Sequence, residues 1–329
     1  MFNILIRRLG LGLVTVVIVS IIVFSGVEML PGDACTAFLE QQAEGKRLEN
    51  CRERLGLIVF DDVSGQFIER PAIDRYIDWA AGAMRGDLGN SASGRYTIAE
   101  LVGNRMLNSL LLAGCALALG VPLAIFFGVV AALFRDRISD IMISSFAIFG
   151  MTIPEFVTAT LLILMFSFWL EWLPGIVLLS PNDPLSDFLP LIILPVITLS
   201  FVMVAHILRT VRSSVIEVMG SDYIQMAILR GVPYWQCVFG HALPNALLPT
   251  INVVALTTAW LLGGVVVTEY VFNYPGLGRM MITSISDRDL PVVQAIALIV
   301  ASTYVLVNLT ADLLTMIANP RLRTLEVRK

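Results

Sequence analysis

QMAILRGVPYWQCVFGHALPNALLP, residues 225 to 249, interrupts a chain that is otherwise a succession of long apolar runs. Ser221 just ahead of it is a good N-cap, Asp222 suits a helical first turn, and Gly231 sits where a helix-terminating glycine belongs. The pattern therefore predicts a helix over Asp222 to Arg230, far too short to cross a bilayer, which takes about 20 apolar residues. Pro233 then falls at the start of a second helix, where its missing N–H costs nothing, and Pro244 closes it. Two short helices meeting at an angle are the expected result. Ile224, Ala227, Ile228, Tyr234 and Trp235 fall on their exposed faces, and such an apolar surface calls for a partner. A hairpin lying on lipid would line its polar face with Lys and Arg; Arg230 is the one such residue available, which favours a protein partner.

The chain around this stretch has 329 residues, of which 57% are hydrophobic and 15% charged, with a mean hydropathy of +0.82. No soluble core needs so much apolar material, so the class is integral membrane protein. Apolar runs at Leu9–Leu30, Leu107–Phe134, Ile138–Leu170, Phe188–Leu208, Ala246–Phe272 and Val292–Ala318 predict six spans. The first follows Arg7 and Arg8 but is longer than a signal-peptide core and has no A-x-A-like cleavage site after Pro31, so it reads as a retained span. Pro122, Pro154, Pro195, Gly263 and Gly264 lie inside runs, which bilayer helices tolerate when neighbours repair the freed backbone groups. With the amino terminus inside, eleven basic residues fall on cytoplasmic segments (Arg7, Arg8, Arg135, Arg137, Arg209, Arg212, Arg230, Arg321, Arg323, Arg328, Lys329) against Arg279 and Arg288 in the short outer loops. That asymmetry puts both termini in the cytoplasm.

Residues 31–104 then lie outside the membrane, and their 12 acidic and 8 basic side chains account for the whole formal charge of −4. Ile73, Tyr76, Ile77, Trp79 and Ala80, at helical spacing, predict that part of this segment is a small folded cap. Cys35 and Cys51 both lie in it. In an oxidising compartment they could bridge, closing a loop worth roughly 3 kcal/mol, or they are two unpaired small side chains. Cys115 and Cys237 read as packing residues, as do most of the 13 methionines. With His206 and His241 the only histidines and no C-x-x-C, no metal site is expected.

The 225–249 stretch resembles the EAA loop of bacterial ATP-binding cassette (ABC) importer permeases, whose pattern is E-A-A, three residues, G, nine residues, I-x-L-P. Here Gln225-Met226-Ala227, Gly231 and His241-Ala242-Leu243-Pro244 keep that register. The departures are similar to the dipeptide, oligopeptide and nickel branch of the family, matched by Asp222-Tyr223, Ala227, Gly231, His241-Ala242-Leu243 and Asn245-Ala246-Leu247. LPGD (30–33), GDLGNS (86–91), TIPEF (152–156), TEYVFNYPGLG (268–278), DLPVVQA (289–295), VNLTADLL and NPRLR extend the likeness nearly end to end, with Asn319 standing where the family more often has Asp. The resemblance implies the type I ABC importer permease fold, an all-α integral membrane protein of six transmembrane helices with a periplasmic insertion between the first two. Its parts would be 1–30 (amino terminus and first helix), 31–104 (extracytoplasmic segment), 105–318 (helices two to six, with the cytoplasmic coupling loop at 217–244) and 319–329 (cytoplasmic tail).

The resemblance also implies a mechanism. Such a permease has no ATPase of its own, and this chain has no G-x-x-x-x-G-K-[ST]; Gly45-Lys46 is its only Gly-Lys pair and lies in the outer segment. ATP and Mg would be bound by two separate ABC ATPase subunits. Asp222, Tyr223, Gln225, Ala227, Gly231, His241, Ala242 and Leu243 would form the element coupled to them. The remaining partners would be a second homologous permease in a heterodimer, an extracytoplasmic solute-binding protein and the lipid bilayer, with no nucleic acid. The expected location is the bacterial inner membrane, and the expected cargo is short peptides or a related small solute.

Charges in or near spans are expensive in hydrocarbon, so Glu28, Glu155, Glu269 and Asp312 are expected to face the bundle interior, a water-filled path or the interface. Glu155, Glu269, Pro275, Gly276, Gly278 and Asp312 are candidates for a translocation path or outer gate; hydrogen bonds that fix helix packing are the structural alternative, above all for Asn308 and Asp312, one turn apart. A proton-coupled transporter relaying through Glu155, Glu269 and Asp312 is the competing function, and it gives 222–244 no role. A membrane-embedded enzyme lacks any H-E-x-x-H, G-x-S-x-G or comparable pair.

Overall fold

The computed structural model describes residues 2–30, 32–39, 44–61, 66–178 and 185–318. The carboxy-terminal tail, 319–329, with its NPRLR motif, and Pro31 of LPGD lie outside the described residues. In chain order the elements are α1 (Phe2–Glu28), α2 (Ala34–Leu39), α3 (Gly45–Arg54), β1 (Ile58–Asp61), β2 (Gln66–Glu69), α4 (Ala72–Met84), α5 (Ile98–Leu133), α6 (Ile138–Thr152), α7 (Glu155–Leu162), α8 (Leu185–Met219), α9 (Asp222–Leu229), α10 (Tyr234–Gln236), α11 (Leu243–Val271), α12 (Leu277–Ser286) and α13 (Leu290–Ala318). Among the described residues five helices are long and apolar enough to cross a bilayer, and α6 with α7 supplies a sixth span if the bent pair counts as one.

The third run is where the structure departs from the sequence expectation. Instead of one helix over 138–170, α6 and α7 meet at 108° across Ile153-Pro154. The cause is local. Proline drives the residue before it out of the helical region, and Ile153 sits at φ −82°, ψ 127°, while Pro154 can donate no bond back into α6. Beyond Leu162 the chain widens into π-helical turns over Ile163–Trp169. The second span also begins earlier than hydropathy suggests, because α5 starts at Ile98, inside the expected outer segment.

The described residues divide into two compact units, one within 1–3, 110–274 and 306–329 and the other within 4–109 and 275–305. The first is built around α8, whose Leu194, Leu199, Met203, Ile207, Leu208 and Val211 are fully enclosed. Small residues let its neighbours approach closely, as in other membrane bundles. On α5, a Cβ added to Gly128 would lie 2.7 Å from Val211 of α8.

In the second unit, the described residues between 32 and 97 form the folded cap. It contains the antiparallel hairpin β1–β2 (Ile58 opposite Glu69, Asp61 opposite Gln66), the α2–α3 pair joined by a Cys35–Cys51 disulfide, and the amphipathic α4. A second small core, Ile98, Val102, Leu277, Met280, Val292, Ala295 and Ile296, packs the start of α5 with α12 and the first half of α13.

Candidate functional site

Segment 222–244 is a helix, a turn and a second helix, as the capping pattern predicts, but three details differ. Ser221 does not cap α9 with its side chain; its hydroxyl turns back and donates to the Val218 carbonyl, 2.5 Å away, ending α8. Ile224 is fully buried rather than exposed, because on an eight-residue helix one apolar position must turn inward to hold the element down. Finally, Pro244 closes nothing. The chain runs from α10 through π turns at Cys237–Ala242 directly into α11, with Pro244 in its first turn.

The π turns explain that continuity. A proline inside a helix removes an N–H and crowds the carbonyl one turn back, and widening the helix just before it relieves both. The Leu243 N–H reaches back five residues to the Val238 carbonyl, and the Asn245 side-chain amide donates to His241 O at 2.8 Å.

Gly231 makes the bend between α9 and α10. Its φ is +84°, a region an L side chain rarely adopts, and nothing lies within 4 Å of where its Cβ would be. Backbone bonds from Gly231 N to Ile228 O (2.9 Å) and from Val232 N to Ala227 O (3.2 Å) close the end of α9. Tyr223, Met226, Ile228, Leu229, Tyr234, Trp235 and Phe239 are exposed, whereas Ala227 is half-buried and Ala242 buried. Asp222, Gln225 and His241 are exposed as well, and Leu243 is half-buried. The predicted coupling residues therefore share one compact hairpin whose uncovered side is largely aromatic and aliphatic.

Among the charged candidates of the same unit, Glu155 at the start of α7 accepts a hydrogen bond from the Thr268 hydroxyl of α11. Glu269, next along α11, is fully buried. Asp312 and Asn308 sit one turn apart on α13, both half-buried. Sequence reasoning missed Asp140. This buried carboxylate of α6 receives Arg212 of α8 through Nε at 2.6 Å and Nη2 at 2.7 Å, the Ser144 hydroxyl at 3.0 Å and the Asp136 N–H at 3.0 Å. Such a saturated, two-pronged pair is what an ion needs to persist away from water. Two unlike charges at the ends of apolar runs, Asp140 near the start of the third and Arg212 just past the fourth, were the available signal; their separation by 72 positions hid the pairing.

The remaining motifs hold the second unit together. In LPGD, Asp33 caps α2 by accepting the Thr36 N–H (2.7 Å) and binds Arg52 Nε (2.5 Å). GDLGNS meets DLPVVQA: the buried Asp289 carboxylate takes the Ser91 hydroxyl and the Ala92 N–H. In the PGLG turn, Asn108 donates to Pro275 O at 2.9 Å and Ser109 Oγ accepts the Leu277 N–H at 2.8 Å; Gly276 and Gly278 are buried there. Glu28 pairs with Arg75. Among the described residues, no group of three His, Cys, Asp or Glu could hold a metal ion.

Comparison with known proteins matches residues 124–324 to the family model described as "Binding-protein-dependent transport system inner membrane component". A probable peptide ABC transporter permease of Sinorhizobium fredii is 32% identical over 319 residues, covering 97% of this chain and 98% of its own length. The glutathione transport system permease of Escherichia coli strain K12 is 34% identical over 324 residues, covering 98% and 99%.

Proposed function

The chain belongs to the binding-protein-dependent transport system inner membrane components, the permease subunits of ABC importers whose ATPase is a separate subunit, and on that premise we propose that its 217–244 segment is the lever through which those ATPase subunits move the membrane helices. Membership replaces the proton-coupled reading with an ABC importer permease, a multi-pass inner-membrane subunit that works with ATPase and binding-protein partners.

One observation carries the lever: the hairpin is tied to membrane helices at both ends, through the tight Gly220-Ser221 turn to α8 and without a break through the π turns to α11. A force on α9 and α10 thus reaches two spans at once. Tyr223, Met226, Ile228, Leu229, Tyr234 and Trp235 form the uncovered surface that a groove in an ATPase subunit would take. ATP and Mg belong in those subunits, two per transporter. A second, homologous permease completes the path as a heterodimer, and both termini of this chain are cytoplasmic. Glu155, Glu269 and Asp312 line the path or fix the helices that line it, while Pro275, Gly276 and Gly278 shape its outer end. The cargo is a short peptide or a peptide-like solute such as glutathione, in keeping with the names of the relatives.

Substitutions at Gly231 separate the turn from the surface. Since nothing in the chain approaches a Cβ there, Gly231→Asn, which tolerates positive φ, keeps the bend, whereas Gly231→Trp adds bulk at the docking face. Uptake by the assembled transporter is expected to survive the first and be abolished by the second, with membrane insertion unchanged in both. Normal uptake by Gly231→Trp would remove the lever from this segment.

A further inference from the structure

Helix α4 of the cap carries three stripes. Ile73, Ile77, Ala80 and Met84 recur at i, i+4, i+7 and i+11 and line one face. On it Ile73, Ile77 and Met84 are 73%, 55% and 84% exposed, more than a folded domain surrounded by water would leave on one stripe. A second face turns to α1: the Tyr76 hydroxyl lies 2.9 Å from Ser20 Oγ, the Phe24 ring is 5.4 Å from Tyr76 and 5.9 Å from Trp79, and Arg75 pairs with Glu28. Asp74 and Asp78 occupy the third face, with Asp78 paired to Arg70.

The contact with Ser20 sets the depth of the helix. α1 supplies the span Ile6–Glu28, and Ser20 lies eight residues before its end. At a rise of 1.5 Å per residue that is about 12 Å back along the axis, within the apolar part of the leaflet. A cap residue whose hydroxyl reaches Ser20 has followed α1 below the water boundary, while the Arg75–Glu28 pair marks where charge is still solvated. Val17, Ile18, Ile21 and Ile22 of α1, around Ser20, are themselves exposed apolar side chains, as the lipid-facing side of a span is.

We propose that α4 is an interfacial helix lying in the leaflet at the carboxy-terminal end of α1, its Ile73, Ile77 and Met84 side chains occupied by lipid acyl chains. Helices of this kind sink about 5–10 Å into the boundary between headgroups and chains. Trp79, beside Phe24, then sits nearer the headgroups than the Tyr76 hydroxyl does, where such rings are enriched, and Asp74 and Asp78 point to water. Unlike the 222–244 hairpin, α4 is held side-on against a span through Tyr76, so its acidic polar face does not weigh against lipid: attachment comes from apolar burial and the contact with α1 and needs no anionic lipid. The cap is consequently moored to the bilayer through its own helix as well as through the spans on either side of it.

Depth-dependent quenching tests this. In the full chain assembled with its partner subunits, with Cys115 and Cys237 replaced by Ser, a bimane probe is placed through Ile73→Cys, Ile77→Cys or Asp78→Cys and the protein reconstituted into phosphatidylcholine vesicles. Brominated phosphatidylcholine is expected to quench the probes at 73 and 77, which aqueous iodide leaves bright; the probe at 78 shows the reverse. Met84→Cys gives a second lipid-facing readout should either isoleucine variant fail to assemble. Iodide quenching at 73 and 77, or shielding from both quenchers as a covering protein would produce, overturns the proposal.

Discussion

Asp140 and Arg212 show what a single pair does in an apolar bundle. The carboxylate is saturated by the guanidinium, the Ser144 hydroxyl and the Asp136 N–H, so α6 is fastened to α8 close to the point where α8 hands over to α9. Asp140→Ala leaves the partly exposed guanidinium without its carboxylate, and loss of such a charged hydrogen-bond partner costs about 1–3 kcal/mol. The expected result is a marked drop in the thermal stability of the purified transporter. Replacing both residues with apolar ones of similar volume, Asp140→Leu with Arg212→Met, should recover most of it. Equal stability of the single variant and the native protein would show that the pair bears no strain of folding. Little of this was readable beforehand: two charges near span ends could be seen to need partners, but which partners is decided by helix packing over 72 positions.

At the scale of elements, the α2–α3 pair is held by its disulfide and by Asp33, which caps α2 and binds Arg52. Partial burial raises the Asp33 pKa, but the Thr36 N–H and the Arg52 guanidinium outweigh it, and the net value lies below the ordinary 3.8. A carboxylate whose pKa is lowered on folding contributes stability that is complete above its unfolded value and is lost as the pH falls through the folded one. Hydrogen exchange of residues 34–39, corrected for intrinsic rates, should show protection at about pH 5 that declines by about pH 3. In Asp33→Ala, which removes both the cap and the Arg52 pair, the protection should be low at both, and an unchanged profile in that variant would exclude Asp33 as its source. Of the elements, α9 was legible from Asp222 and Gly231, since first-turn charge and turn chemistry are local, although the Ser221 hydroxyl turned out to end α8 rather than cap α9. The break at Ile153-Pro154 was visible as a proline but not as a turn of 108°, because a membrane helix passing a proline can bend a little or reverse, and only its neighbours decide. Pro244 misled for a related reason: π turns at Cys237–Ala242 absorb a residue that would otherwise end a helix.

For the whole molecule, hydropathy located the runs that become membrane helices, because the solvent is a bilayer and the signal is composition. The grouping of 275–305 with the outer segment was not legible; it depends on Asp289 meeting Ser91 and on Asn108 meeting Pro275, contacts between distant stretches. The central claim is that the 217–244 hairpin works against a partner that hydrolyses ATP. A photo-activatable amino acid at Leu229, the most exposed apolar position of α9, tests it most directly in membranes containing the assembled transporter. The account predicts a covalent adduct with the ATPase subunit whose yield changes between the nucleotide-free and ATP-bound states. Adducts with lipid alone, or a yield indifferent to nucleotide, would contradict it.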